Sequence, residues 1–174
     1  MKRSLLLGLV GVASVLAPSG AQAQWSARLA LEAPLYAHVS SGGQSSSFGL
    51  NESFQPALDV LGSYFVSDSV GIDLELRVGI AATGTGYSRQ PSTLGPGVTL
   101  DVPGFPLYGR AALPIQLEEG TRLFLRLGGG LKILDQAFIR IYAELTVDLA
   151  IAGGEVSFFG SQAVNASIGL WFRL

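Results

Sequence analysis

His38 is the only histidine in the chain, and Ser40 lies two residues beyond it. Residues two apart on an extended strand point to the same face. An imidazole and a hydroxyl so placed could serve as general base and nucleophile. Such a pair needs a third group to orient the base, and the sequence assigns none, Glu32 being a distant acid on the same segment. The pair therefore reads first as a solvated polar step at the end of a strand, and no enzyme activity is expected. Zinc sites are built from Cys, His and carboxylates. One His and no Cys leave nothing to hold the ion, and neither metal nor cofactor is expected. Gly84-Thr85-Gly86 precedes no helix that could cradle a phosphate, so these are loop glycines.

The stronger chemical pattern is where the charges fall. Arg28, Arg77, Arg110, Arg122, Arg126, Lys132, Arg140 and Arg173 all occupy the polar parity of alternating segments, and Arg89 alone of the basic residues after Ala23 does not. Glu32, Asp59, Asp73, Glu75, Glu144 and Asp148 share that parity. Charges on one face and apolar residues on the other predict an interior polar network, with Arg28, Glu32, Asp73, Glu75, Arg77, Arg110, Arg122, Arg126, Arg140, Glu144 and Asp148 as its candidate members. The net charge of −2 becomes more negative once Lys2 and Arg3 are removed, which leaves no basic surface for nucleic acid.

The elements that would position these charges are strands. Val70, Ile72, Leu74, Leu76, Val78 and Ile80 alternate with Gly71, Asp73, Glu75, Arg77 and Gly79, the period of a strand with one greasy and one wet face. Six further segments behave alike, beginning near Trp25, Phe54, Phe105, Thr121, Ala137 and Ala163. Pro34 cannot donate to a ladder and marks a bulge or the approach to a loop. Residues 98–102 also alternate, but Pro103 and Pro106 set them apart, and they read as a kinked extension. An even strand count requires one more, expected within 152–161. Short turns at 67–69 and 118–120 would share one end of the molecule, and Ser/Gly-rich loops at 40–53 and 82–97 the other. Trp25, Tyr64 and Phe172 would form an aromatic girdle at the short-turn end.

Hydrophobic residues make up 48% of the chain and charged residues only 14%, against about 25% charged in ordinary soluble domains. Yet no stretch after Ala23 approaches the roughly 18 consecutive apolar residues of a membrane helix. Apolar content without apolar runs is the signature of a transmembrane barrel, where every second residue meets lipid. At the N-terminus, Lys2 and Arg3, the apolar run Leu5–Leu16 and Ala21-Gln22-Ala23 form a secretory signal peptide. The expected organisation is a signal peptide at 1–23 and one barrel domain at 24–174.

The last residues carry a resemblance. Val164, Ala166, Ile168, Leu170, Phe172 and Leu174 are apolar and alternate with Asn165, Ser167, Gly169 and Arg173, Trp171 being the exception. Ser167, Gly169, Phe172 and Leu174 resemble the C-terminal targeting strand of bacterial outer-membrane barrels, which usually ends in Phe where this chain has Leu. The pattern as a whole resembles the small eight-stranded outer-membrane barrels of the outer-membrane protein A, W and X class. That resemblance implies an all-β, antiparallel, up-and-down transmembrane barrel in the bacterial outer membrane. It also implies outer-membrane lipid and lipopolysaccharide as surroundings, and recognition of Gly169, Phe172 and Leu174 by the outer-membrane assembly machinery. A monomer is expected. A lipid A deacylase barrel carries a His-x-Ser similar to His38-Val39-Ser40, but followed by Asn and set in its last strand; here Ser41 stands in the place of that Asn.

Three functions follow from this reading: a structural or surface-adaptive barrel with a filled lumen, a narrow channel for ions or small solutes, and an outer-membrane lipid-modifying enzyme. The rival fold is a secreted soluble barrel of the lipocalin type, with its apolar face turned inward. The first function is favoured, because an eight-stranded barrel has just enough interior for its own side chains.

Overall fold

The computed structural model describes residues 24–41, 44–49, 54–80, 90–118, 121–136, 138–153 and 161–174. The expected signal peptide lies outside them. The regular elements are all strands: β1 (Gln24–Ser41), β2 (Gln44–Gly49), β3 (Ala57–Phe65), β4 (Val70–Gly79), β5 (Thr93–Asp101), β6 (Leu107–Ala112), β7 (Ile115–Gln116), β8 (Leu123–Asp135), β9 (Ile139–Ala152) and β10 (Gln162–Arg173). All pairings are antiparallel, in the order β10-β9-β8-β6-β5-β4-β3-β1, and β10 returns to pair with β1. Taking β6 and β7 as one interrupted stave, this is a closed eight-stranded barrel, and β2 extends β1 as a hairpin beyond it.

Following the register from Ser26 through Ser63, Asp73, Gly97, Ala112, Arg126, Asp148 and Ala163 leads back to β1 at Ala37, far up the strand from the start. Such a stagger goes with strands inclined by roughly 40° to the axis. The tilt brings residues distant in sequence to one level of the lumen. A β-bulge between Pro34 and Tyr36 shifts the register with β10, as Pro34 suggested.

The faces are those the alternation predicts. Leu74, Leu100, Ile133, Leu145 and Ile168 are among the most exposed apolar residues, whereas Arg28, Glu32, Glu75, Arg126 and Arg140 are almost wholly buried. A lipocalin-type interior would reverse this, and the burial of the charges excludes it. Trp25 and Tyr64 face outward with ring centroids 5.0 Å apart, at the end where both β1 and β10 terminate. Phe172 shares the outward parity of β10, and Phe105 and Phe138 are exposed in turns at that same end.

Several expectations are corrected. The eighth strand is not within 152–161: β9 and β10 pair directly from Leu149↔Gln162 to Ile139↔Phe172, leaving no space for a strand between them. Residues 154–160 lie outside the described residues. The missing strand is β5, so 98–102 is not an extension: residues 98–101 are part of a stave between β4 and β6. Pro103 and Pro106 set its end apart, and Thr93–Gly97 fell within the loop expected at 82–97. Pro96 is tolerated in the strand: its carbonyl accepts from Leu113 N, so its nitrogen turns to the same neighbour, where β6 and β7 are interrupted and the ladder needs no donor there. A Cβ on Gly95 would strike Leu113 and Pro114, so glycine is what lets the two chains approach.

Counting β5 also reverses the turn at 118–120, which belongs to the end opposite the termini: Glu118 accepts from both the backbone and the hydroxyl of Ser92 there. Finally, part of the loop expected at 40–53 is strand, paired from Tyr36↔Gly49 to Ser41↔Gln44.

Candidate functional site

The lumen is filled by two connected clusters. In the middle, Arg126 enters from β8 and is fully buried. Its Nε and Nη2 donate to Asp148 at 2.6 and 2.7 Å, and its Nη1 donates to Glu75. Arg77 of β4 bridges Glu32 at 2.7 Å and Asp148 at 3.0 Å. Arg110 of β6 donates to Glu75 and to Glu144, the latter at 3.2 Å, and lies 3.6 Å from Asp59. Asn165 adds a 3.2 Å bond to Asp148 from β10. The strands supply these side chains because every inward position is an alternate residue, and the tilt lets β1, β3, β4, β6, β8, β9 and β10 meet at one level.

Nearer the chain termini, Asp101 is the hub. It accepts from Lys132 at 2.8 Å and Arg140 at 2.5 Å, with Arg173 at 3.9 Å. Arg140 also donates to Asp135. Arg28 has no carboxylate within salt-bridge distance among the described residues. It donates to Thr99 at 3.1 Å, and Thr99 in turn donates to Asp73 at 2.6 Å. Its guanidinium lies 3.6 Å from the Trp171 ring centroid and 4.9 Å from that of Tyr108, in the range of cation–π attraction. Trp171 also takes Arg140 at 4.7 Å and stacks with Phe65 at 6.0 Å. Tyr108 donates to Glu144 at 2.5 Å and joins the two clusters. A Cβ on Gly130 would collide with the Tyr108 ring, so glycine makes room for this phenol.

Of the predicted network residues, Arg28, Glu32, Asp73, Glu75, Arg77, Arg110, Arg126, Arg140, Glu144 and Asp148 are brought into one lumen. Arg122 is not: it precedes β8, is half-buried and makes no ion pair with the described residues. Asp101, Thr99 and Trp171 were missing from the predicted network. Asp101 and Thr99 were legible in the alternation Val98, Thr99, Leu100, Asp101, Val102 once that segment is read as a strand. Trp171 carried its signal as the one large aromatic on an otherwise small and polar parity.

His38 meets Ser47 through a 2.7 Å bond at its Nδ1 across the β1–β2 hairpin, and the Tyr36 hydroxyl lies 3.4 Å from the same oxygen. No carboxylate bonds to His38 among the described residues, and the side chain of Ser40 is outside them. No cluster of His, Cys, Asp and Glu that could hold a metal occurs among the described residues. Gly169 has a packing reason beside its place in the expected targeting pattern. A Cβ there would strike Leu29 and Ala30 of β1, at the seam that closes the barrel. Phe172 is partly exposed on the outward face and Leu174 exposed at its end, where Leu174 N donates to Trp25 O at 2.9 Å.

No family model and no curated protein matches the chain. Among solved structures it is similar to the crystal structure of Neisserial surface protein A, with a TM-score of 0.60 over 88% of this chain and 99% of that one, at 11% sequence identity. The similarity is one of fold, and the fold is that of the small eight-stranded outer-membrane barrels.

Proposed function

We propose that this chain is a small integral protein of the bacterial outer membrane, with a structural or surface-adaptive role and a lumen filled by its own ion pairs. Both ends of the chain then lie on the periplasmic side, and the β1–β2 hairpin and the segments near Gln90, Glu118 and Ser161 on the outer side. The observation that carries the reading is Arg126. It is 0% exposed, and it ties Glu75 on one side of the lumen to Asp148 on the other. Moving an ion past this point would require opening several buried ion pairs, each costly to separate in a low-dielectric interior.

The outward band of leucine, isoleucine and valine supports lipid as its solvent, with lipopolysaccharide above it and no partner subunit needed to cover it. The pattern of Gly169, Phe172 and Leu174 supports recognition by the assembly machinery. A single-channel recording of the refolded barrel in a planar bilayer is the test. A flat baseline is expected; reproducible conductance steps would replace this reading with that of a narrow channel. Cell fractionation with electrophoresis before and after boiling tests the location: a heat-modifiable band in the outer membrane is expected, and a soluble periplasmic form would refute it.

A further inference from the structure

Buried polar atoms that lack a protein partner are not spread evenly round the lumen. Among the described residues, most of them lie on the wall made by β1, β3, β4 and β5, in three successive rows. The row nearest the termini holds Ser26 Oγ, Ser63 Oγ and Asp73 Oδ1, register neighbours across three strands. The next holds Nε and Nη1 of Arg28. The third holds Asp59 Oδ1, Arg77 Nε and Thr93 Oγ1, again neighbours in register.

The facing wall differs. There both oxygens of Glu144 are taken by Tyr108 and Arg110, both of Asp148 by Arg126 with Arg77 and Asn165 adding to one of them, and Asn165 also reaches Thr146. Beyond the three rows, the unpartnered buried atoms are Arg110 Nε, Arg122 Nε and Trp171 Nε1.

A buried donor or acceptor left unpaired is costly, and ordered water is the usual partner where protein supplies none. Water needs two or more polar neighbours, and the first and third rows each bring three unpartnered groups together in register, with Arg28 between them. The first row opens at Ser26. A cavity of about 30 Å³ at the terminal mouth is lined by Ser26, Phe65, Asp101, Trp171 and Arg173, enough for a water molecule to enter. At the other end Gln90 Nε2 donates to the Gln55 carbonyl at 2.5 Å, both residues are buried, and the Gln90 carbonyl occupies the place of a side chain on Gly79.

We propose that the β1–β3–β4–β5 wall carries a chain of ordered water that enters from the terminal mouth and stops at Gln55 and Gln90. The lumen is then wet along one side and dry along the other, and forms a blind cleft for water and neutral solutes of its size. Arg28 keeps its charge inside this cleft by water on its edge and aromatic rings on its face.

The test is water-to-protein cross-relaxation by NMR on the isotope-labelled barrel refolded in detergent micelles, with exchange-relayed signals removed. Long-lived water contacts are expected at the side-chain protons of Ser26, Ser63 and Asp73, and none at Glu144, Thr146 or Asp148. Silence at Ser63 and Asp73 overturns the proposal, and so do equal contacts on both walls. A Ser63→Leu variant should abolish the contacts at Asp73 while its heat-modifiable mobility stays that of the parent. Contacts that persist at Asp73 in that variant would also overturn it. Ion conductance decides the proposed function; these contacts decide the cleft, so the two can fail separately.

Discussion

Removing the guanidinium of Arg126 is the sharpest perturbation of the network. Arg126→Met keeps much of the side-chain volume and deletes two bonds to Asp148 and one to Glu75, both of which remain buried. Breaking one partner out of a buried ion pair costs about 3–5 kcal/mol, because the charge left behind stays desolvated. Arg77 still reaches Asp148 at 3.0 Å, and Arg110 still reaches Glu75, so the lower half of that range is expected.

The companion variant Arg126→Met/Glu75→Leu removes the carboxylate left with one partner fewer; Arg110 then loses its bond to Glu75 but keeps Glu144 at 3.2 Å and Asp59 at 3.6 Å, so about 1–3 kcal/mol of the loss should be recovered. Urea unfolding of the barrel in lipid vesicles measures both variants. The two tryptophans make it readable, Trp25 facing lipid and Trp171 lying buried in the lumen. Strict additivity of the two substitutions would refute the coupling argued from these distances, as would a single-variant loss below about 1 kcal/mol.

Leu74→Arg places a charge in the middle of β4 on the outward face, where the leucine is 59% exposed. A loss of about 2–4 kcal/mol is expected in the same assay, and an unchanged midpoint would show that this face does not meet lipid. Gly130→Ala puts a methyl against the Tyr108 ring. A loss of about 1–3 kcal/mol is expected from overpacking, and Tyr108→Leu in the same chain should relieve part of it. Trp171→Leu removes the face on which Arg28 and Arg140 rest. It should cost at least about 1 kcal/mol beyond the lost apolar contact, measured against Trp25→Leu at the lipid face by the same urea midpoint.

The inward and outward faces were legible in the sequence because a strand has a period of two, and period alone assigns each side chain to the outer surface or the lumen. Glu75 and Leu74 need no partner strand to be told apart. The same rule failed locally where proline interrupted it. Pro103 and Pro106 made the end of β5 look like an appendage, its start with Pro96 fell in an expected loop, and the lost strand reappeared as a false one at 152–161 and turned 118–120 to the wrong end. Asp101, the hub of the terminal cluster, was missed for the same reason. Nothing in the alternation marks Pro96 as harmless. That depends on a gap in the neighbouring strand at Leu113 and Pro114, which only the paired structure contains.

Which charge meets which was beyond the sequence altogether. Arg77 finds Asp148 across 71 positions, and Arg126 finds Glu75 across 51. His38 finds Ser47 through a hairpin register that its own strand does not announce. Alternation fixes the side of a sheet on which a residue lies but carries no information about height in the barrel. Height is set by the stagger accumulated round the closed ring, by the bulge after Pro34, and by the glycines that let Tyr108 and the β1–β10 seam close. The sequence by itself therefore determined the all-β, two-faced architecture and the charged character of the lumen. Closure of the barrel decided the pairing, the plug at Arg126 and the division of the lumen into a partnered wall and an unpartnered one.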